Sequence, residues 1–476
     1  MQFFGRNKEL KKLQDLLEKR SSSLIVIKGR RRIGKSRLAQ EFSKSMKTFT
    51  FMGLTPEAGI TAQNERENFA KQLEINTGLK GIKAEDWNDL FWNLSNFAKE
   101  GRIIIILDEI NWMGTNDPTF LAKLKSAWDL YFSQNSELIM ILTGSMSGWI
   151  DKNILSSTGF LGRISLDLTL DELPLHQCIQ FWAEFSTKTS AYEIFKILSV
   201  TGGVPRYLEE INPKISAEEN LMKLCFEKEG FLFREFDNIF SDLFSRRAGI
   251  YKKIVQTLIE SNKSIKKICE IIEVEKSGVI SDYLDDLTKI GYISRDYTWA
   301  LKTGKDSKFS NYRLKDNYIR FYLKYIEPNK SKISRNIFSR PIAWDTIMGL
   351  QFENLILNNR HKIMKLIGIP IEDVVNENPY FQTKTIAHDG CQIDYLIQTK
   401  YNCLYLCEVK FSKNHIRKNV IQEIEDKIDR LDIGKKRFSI KPILIHVNGV
   451  EDGVIKSGYF SKIIDFSQLL NSKSIT

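Results

Sequence analysis

Long hydrophobic runs are absent from this 476-residue sequence. A membrane-spanning helix needs about 18 consecutive apolar residues, whereas the longest apolar run, Ile103 to Leu107, has only the length of a strand. The beginning of the chain, MQFFGRNKEL, also lacks the basic start, the apolar stretch and the cleavage site of a secretory signal. We therefore expect a cytoplasmic protein that makes no membrane contact.

Cysteine is scarce, with six residues in the whole chain, and none of them forms a CxxC pair. A zinc site or a disulfide framework is therefore not expected.

Acidic residues are fewer than basic ones: the chain has 59 Asp and Glu and 70 Lys and Arg, which gives a net charge of +11. Such a balance favours polyanions such as DNA as partners, although a generally lysine-rich composition explains it equally well.

The pattern of the chain predicts several domains. Residues 1–210 alternate amphipathic helices with near-continuous apolar strands at 23–28, 102–108 and 137–143, which is typical of a buried parallel sheet, and a lid begins near residue 170. Residues 211–325 are mostly helical. Three short helices at 251–260, 265–272 and 276–290 and a hairpin over 291–314 predict a winged helix-turn-helix.

A linker is expected at residues 326–342, where aliphatic residues are few. Residues 343–476 predict a second α/β domain. It begins with a helix at 345–358, continues with strands at 391–398 and 404–411 and a polar helix at 415–431, and ends in a last strand at 442–447.

A phosphate-binding loop follows the first predicted strand. The segment GRRRIGKS, from Gly29 to Ser36, fits the pattern G-x-x-x-x-G-K-[ST] and precedes a helical stretch. The glycines let main-chain amides surround the phosphates, Lys35 reaches the β- and γ-phosphates, and Ser36 offers a hydroxyl to Mg²⁺. We expect ATP and Mg²⁺ here, with nucleotide contacts from Gly29, Ile33, Gly34, Lys35, Ser36 and Arg37.

Two carboxylates end the strand IIIILDE. Asp108 would hold Mg²⁺, and Glu109 would polarise the attacking water as a general base. Thr143 and Ser145 follow the next strand, where a hydroxyl would orient that water or contact the γ-phosphate; an ordinary Ser/Thr turn is the alternative.

These motifs resemble those of the archaeal and bacterial ATPases of the AAA+/STAND type, in which an AAA+-like P-loop domain precedes a winged helix and a restriction-endonuclease-like domain. The segment from Phe4 to Leu10 resembles the family's N-terminal F-x-R-x-x-E-L box, which implies that Arg6 flanks the adenine. The resemblance thus implies an α/β fold with a P-loop parallel sheet, a helical lid and a C-terminal α/β domain.

Two further arginines follow from the resemblance. Arg163, in FLGR, matches a segment whose arginine acts on the nucleotide of a neighbouring subunit, which would require a homo-oligomer. Action within the same subunit stays open, and a surface ion pair is the alternative. Arg206, in TGGVPRYL, matches the second sensor, which approaches the γ-phosphate.

The C-terminal region resembles the PD-(D/E)XK nucleases. Asp394 lies on one predicted strand, and Glu408 and Lys410 lie on one face of the next, since side chains alternate along a strand. Glu353 on the preceding helix matches the upstream acid. Glu353, Asp394 and Glu408 would share Mg²⁺, and Lys410 would orient or activate water.

Three functions remain open at this point. The first is an ATPase acting on DNA with a Mg²⁺-dependent nuclease domain. The second is a signalling or stress-response switch whose C-terminal domain is a non-catalytic binding module, and the third is a nucleotide-sensing scaffold. Three aspartates in the would-be recognition helix, residues 276–286, oppose DNA contact, whereas the lysines of the following hairpin favour it.

Overall fold

The computed structural model describes residues 2–55, 59–145, 147–244, 248–338, 345–384, 389–434 and 437–471. The chain divides into two compact units. The first contains the described residues up to Asp171 together with Lys289–Gly291. The second contains Glu172–Thr288 and the described residues from Tyr292 onward. The predicted lid therefore lies in the second unit.

The first unit is built on a five-stranded parallel sheet with the strand order β2-β3-β4-β1-β5. Its strands are β1 (Ser23–Lys28), β2 (Lys47–Met52), β3 (Ile103–Asp108), β4 (Ile139–Gly144) and β5 (Ile164–Thr169). Every residue of β1, β3 and β4 is buried, as the continuous apolar runs of these strands predict. The order brings the ends of β1, β4 and β3 side by side.

Helices cover this sheet on both faces. Leu24 and Val26 belong to one core, whereas Ile25 and Ile27 belong to the other, because successive side chains of a strand point to opposite faces. The helices of this unit are α1 (Asn7–Asp15), α2 (Lys35–Ser43), α3 (Ala62–Thr77), α4 (Trp87–Ser95), α5 (Ile110–Thr115), α6 (Phe120–Leu130) and α7 (Ser147–Ile150).

The second unit starts with a helical region that leads into a hairpin. Its helices are α8 (Leu175–Cys178), α9 (Ala191–Thr201), α10 (Pro205–Leu208), α11 (Ala217–Cys225), α12 (Phe231–Phe244), α13 (Ala248–Thr257), α14 (Ile265–Ile271) and α15 (Gly278–Ile290). The hairpin is antiparallel and consists of β6 (Ile293–Ala300) and β7 (Lys305–Leu314). Helices α13–α15 and the hairpin occur in the predicted order.

A mixed five-stranded sheet follows, with the order β12-β11-β10-β9-β8. Its strands are β8 (Val374–Gln382), β9 (Cys391–Thr399), β10 (Cys403–Lys410), β11 (Ser439–His446) and β12 (Lys462–Asp465). Strand β9 runs antiparallel to β8 and β10, whereas β10, β11 and β12 are parallel. The strand predicted at 442–447 lies within β11 to within one residue, but it is not the last strand, because β12 follows it. Strand β12 has four residues and no clear alternation of burial, so the sequence pattern did not predict it.

The further helices among the described residues of this unit are α16 (Asn317–Phe321), α17 (Lys330–Ser334), α18 (Asp345–Leu357), α19 (Arg360–Ile367), α20 (Asn419–Arg430), α21 (Asp452–Lys456) and α22 (Ser467–Leu470). Of these, α18 packs on β10, α20 on β9 and α22 on β12. The predicted linker at 326–342 is helical over much of its described part, where Ile333 is 1% exposed, and its residues from 339 onward lie outside the described ranges.

The hairpin packs against the mixed sheet. The Trp299 indole donates a hydrogen bond to Gln398 Oε1 at 2.6 Å, and the Thr298 hydroxyl donates to the Phe381 carbonyl at 2.9 Å. Trp299 also meets the Tyr380 ring, with centroids 5.3 Å apart. The predicted wing and the C-terminal sheet therefore share one hydrophobic core.

Helix α9 packs in the same unit. The Phe195 ring lies 5.4 Å from those of Phe352 and Phe411 and 5.6 Å from that of Phe466, measured between centroids. Burying one such side chain contributes roughly 1.5–3 kcal/mol.

Within the described ranges, no helix has both the length and the hydropathy that crossing a bilayer requires.

Candidate functional site

The loop between β1 and α2 depends on two glycines. Gly29 has φ +149°, and a Cβ there would lie 2.6 Å from the Leu170 carbonyl oxygen. Gly34 has φ 91° and caps α2 at its N-terminus. L-residues rarely adopt these conformations. Ser36 and Arg37 are half-buried in the first turn of α2, so the loop and the helix start form one curved main-chain surface.

The Lys35 ammonium lies at the centre of this loop. Its Nζ donates to the carbonyl oxygens of Gly29 at 3.1 Å and Arg30 at 3.2 Å, and it lies 3.9 Å from Glu109 Oε1. Burial lowers the pKa of Lys35, although the charges of Glu109 and Asp108 oppose that shift. A buried ammonium beside glycine amides is suited to a phosphate group.

The two acids at the end of β3 are held by hydroxyl groups from the end of β4. Thr143 Oγ1 donates a hydrogen bond to Asp108 Oδ1. Ser145 donates twice to Glu109 Oε2, from its amide at 3.0 Å and from its hydroxyl at 2.8 Å. Adjacent parallel strands bring these ends together, as the sequence predicts.

Glu109 has a left-handed backbone with φ 52°, which is uncommon for a residue with a side chain. It precedes α5, where the sequence analysis missed Asn111. In the amide orientation that satisfies its neighbours, buried Asn111 donates to Glu109 Oε2 at 3.2 Å and accepts from the Trp112 indole at 3.3 Å. The only signal in the sequence is the position of Asn111 two residues after Glu109.

Arg6 connects the beginning of the chain to the loop. It is 3% exposed, has φ 59°, and its Nη2 donates to the carbonyls of Ile33 at 3.0 Å and Asp171 at 2.5 Å. The Ile33 side chain is fully buried, and its carbonyl accepts the hydrogen bond from Arg6. The described contacts of Arg6 therefore fix the position of the loop.

The two arginines that the family resemblance adds, Arg163 and Arg206, form ion pairs in their own units. Arg163 binds Asp129 with two hydrogen bonds, of 2.7 Å from Nε and 2.9 Å from Nη2, which hold the pKa of that carboxyl at about 2. Arg206 begins α10, lies 3.2 Å from Glu209 and 2.5 Å from Glu210, and stacks over Phe231 in the second unit.

In the second unit, the C-terminal acids lie where β9 and β10 separate. The last paired residues are Tyr395 and Cys407, and beyond them the Val409 amide donates to Asp394 Oδ2 at 2.8 Å. Lys410 Nζ lies 3.2 Å from Glu408 Oε1, so the structure brings Asp394, Glu408 and Lys410 to one place.

Burial and neighbouring carboxylates perturb these acids. Desolvation first, and then the charges of Glu408 and Glu353, raise the pKa of Asp394 to about 8. Burial also raises the pKa of Glu353, against the opposing charges of Arg313 and Arg320. Three carboxyl groups thus influence one another electrostatically.

Lys427 is a member of this site that the sequence analysis missed. Its Nζ lies 2.6 Å from Glu408 Oε2, and its charge lowers the pKa of both Asp394 and Glu353. Val420 and Ile424 of α20 are buried, and Lys427 continues their stripe along the helix. A lysine at an apolar position of an amphipathic helix is the signal that identifies it.

A divalent cation is implied here by the nuclease resemblance. Hard cations prefer carboxylate oxygens, and Glu353 Oε1 is buried with no hydrogen-bond partner among the described residues, so the donor chemistry fits. In the described parts of the chain, however, no three His, Cys, Asp or Glu side chains are arranged to hold a metal ion. An ammonium, that of Lys427, stands beside these acids.

Residues 3–211 match a family model described as an ATPase domain predominantly from Archaea. An uncharacterized protein of Methanocaldococcus jannaschii, MJECL04, is 27% identical over 373 residues, which cover 78% of this chain and 80% of that relative. Among solved structures, the Walker-type ATPase PABY2304 of Pyrococcus abyssi has a TM-score of 0.52 at 18% identity, covering 68% of this chain and 96% of that one.

The Aeropyrum pernix ORC2 protein, solved in ADPNP–ADP complexes, is also similar, with 16% identity over 70% of this chain and 95% of that one. The TM-score of that similarity is 0.41. The family match and the fold of the Pyrococcus protein agree with the loop and sheet described above. The chain therefore carries a P-loop ATPase domain.

Proposed function

We propose that the first unit hydrolyses ATP with Mg²⁺ between the Gly29–Ser36 loop and the acids Asp108 and Glu109. Lys35 binds the β- and γ-phosphates, Ser36 and Asp108 hold the metal, and Glu109 is the general base. The observation that carries this assignment is the pair of hydroxyl contacts, Thr143 to Asp108 and Ser145 to Glu109, opposite the Lys35 ammonium.

A Glu109→Gln variant tests this assignment, because glutamine keeps the shape of the side chain and cannot accept the proton. We expect ATP binding to remain and phosphate release to fall about 10²–10⁴-fold, the usual contribution of a general base. Glu137→Gln is the matched control, at an exposed position just before β4. Normal turnover by Glu109→Gln would remove this residue from the mechanism.

We further propose that the second unit acts on DNA and that Glu353, Asp394, Glu408 and Lys410 form a Mg²⁺-dependent nuclease site. The support is the proximity of Asp394, Glu408 and Lys410 where two strands diverge, together with the net charge of +11. Lys410 lies beside Glu408, so it is positioned to orient a water molecule there.

A non-catalytic binding module controlled by the ATP state is the second candidate. The observation that favours it is the neutralisation of Glu408, whose two oxygens contact the ammonium groups of Lys410 and Lys427. In addition, exposed Asp282 and Asp285 give α15 an acidic surface that opposes phosphate contact.

Plasmid nicking with Mg²⁺ distinguishes the two candidates. If the domain cleaves, the wild type nicks and Asp394→Ala does not, while both hydrolyse ATP equally. Asp452→Ala, an exposed change in the same unit, should nick like the wild type. No nicking by the wild type would remove the nuclease proposal and leave the binding module.

A further inference from the structure

The carboxylates of the C-terminal site and those of the P-loop site have different kinds of partner. At the P-loop the acids accept hydrogen bonds from hydroxyls, whereas at Glu408 both carboxylate oxygens contact ammonium groups. Lys410 Nζ is 3.2 Å from Oε1, and Lys427 Nζ is 2.6 Å from Oε2. Glu408 is 2% exposed, so water contributes little to the neutralisation of its charge.

The two lysines differ in their other contacts. Lys410 also binds Glu423 Oε2 at 2.7 Å, so it has a second carboxylate that keeps it in place. Among the described residues, the ion pairs of Lys427 are with Glu408 alone. Its side chain is 25% exposed, so part of it is in contact with solvent.

Lys427 contacts the acids through Glu408. Its Nζ pairs with Glu408 Oε2, while Lys410 pairs with Oε1 of the same carboxylate. A divalent cation bound by Glu408 would have the same electrostatic role. An ammonium has no lone pair to offer a metal, so the two cations compete for the same oxygens and repel each other.

We propose that Lys427 is the internal counter-cation of the C-terminal carboxylate site, and that a divalent cation binds there only by displacing its ammonium from Glu408. This inference rests on the proposed metal role of Glu353, Asp394 and Glu408. Lys427 is thus a positioning residue, which holds the acids together before the metal arrives and sets the metal affinity of the site.

Manganese titration of the nucleotide-free, full-length protein, followed by the electron paramagnetic resonance signal of free Mn²⁺, tests the inference. The variant Lys427→Met removes the ammonium and keeps much of the side chain. Lys418→Met removes the same charge from an exposed position just before α20 and is the matched control. Adding Asp394→Asn to each protein identifies the part of the binding that belongs to the C-terminal site.

We expect Lys427→Met to bind Mn²⁺ on the order of tenfold more tightly than the wild type, because a buried ion pair no longer has to be broken. Lys427→Arg, which keeps the positive charge, and Lys418→Met should both resemble the wild type. The gain should disappear when Asp394→Asn is added. The melting temperature provides a second measure. Without metal, Lys427→Met should melt at a lower temperature than the wild type, and adding Mn²⁺ should raise its melting temperature by more than that of the wild type.

Two results would overturn the inference, and they are distinguishable. If the wild type and a folded Lys427→Met bind Mn²⁺ equally through Asp394, the inference is wrong and the proposed metal role stands. If neither shows binding that depends on Asp394, the metal role and the inference both fail, while ATP hydrolysis in the first unit is unaffected.

Discussion

The nucleotide site of the first unit and the carboxylate site of the second are both built from strand-end acids and a lysine, yet their charges are arranged differently. Lys35 contacts the carbonyl groups of its own loop and stays 3.9 Å from Glu109. Lys427 makes a 2.6 Å ion pair with Glu408. In the first site the Lys35 ammonium is available to bind a phosphate group. In the second site the charge of Glu408 is neutralised by a lysine of the same chain.

The two lysines would therefore meet their ligands differently. A polyanion entering the first site meets a buried ammonium whose described contacts are two loop carbonyls and, at 3.9 Å, Glu109. A cation entering the second site must first separate an ion pair whose carboxylate is buried, which is costly. The two sites should therefore respond differently to mutation and to pH.

The largest expected effect is at Lys35. Lys35→Ala should reduce ATP turnover by about 10²-fold or more, because the loss of one preorganised charge contact to the transition state has costs of this order. Phosphate release measures it. Lys44→Ala is the control, because Lys44 is an exposed lysine directly after α2 with the same charge. Turnover by Lys35→Ala at the wild-type rate would mean that the loop is not the nucleotide site.

A smaller effect, on stability, is expected at Asp394. Its pKa is raised to about 8 in the folded chain, from an ordinary value of 3.8. The folded state therefore favours the protonated acid, and its contribution to stability is full below pH 3.8 and is lost as the pH rises towards about 8. Asparagine does not ionise, so the Asp394→Asn variant should not lose this stability as the pH rises. The difference in melting temperature between pH 5 and pH 8 should therefore be smaller in the variant than in the wild type.

Melting curves in EDTA at these two pH values check this prediction. Asp452→Asn, at an exposed position of the same unit, should keep the pH dependence of the wild type. An Asp394→Asn protein with an unchanged pH dependence would mean that this carboxyl is ionised in the folded state at neutral pH.

The smallest effect is expected at Asp129, where the shift has the opposite sign. Its hydrogen bonds with Arg163 hold its pKa at about 2, so its contribution to stability is present above pH 3.8 and is lost as the pH falls towards 2. Asp129→Asn should lower the melting temperature slightly at pH 7 and have no effect near pH 2. Equal melting at pH 7 would show that solvent screens this exposed pair completely.

The strands that carry the first proposed site follow from the sequence more directly than the contacts of the second, for a physical reason. The loop from Gly29 to Ser36 and the acids Asp108 and Glu109 belong to short local motifs beside strands that are apolar throughout. The predicted strand at 23–28 coincides with β1, and that at 102–108 with β3 to within one residue. Local patterns of this kind can be recognised from the sequence alone, because they do not depend on packing between distant segments.

The contacts that the sequence did not predict depend on packing between distant segments. Lys427 reaches Glu408 only because α20 lies on the sheet with its buried stripe inward. The docking of the hairpin, with Trp299 bonded to Gln398 across 99 residues, is likewise absent from any local pattern. Strands β8 and β12 were not predicted, because their residues are mostly half-buried and do not alternate clearly.

The proposed nucleotide site is tested by a crystal structure of the protein with an ATP analogue and Mg²⁺. We expect a triphosphate within hydrogen-bond distance of the main-chain amides of residues 29–36, with the metal between Ser36 and Asp108 and a water beside Glu109. A nucleotide bound elsewhere, with Lys35 still bonded to the carbonyls of Gly29 and Arg30, would contradict it.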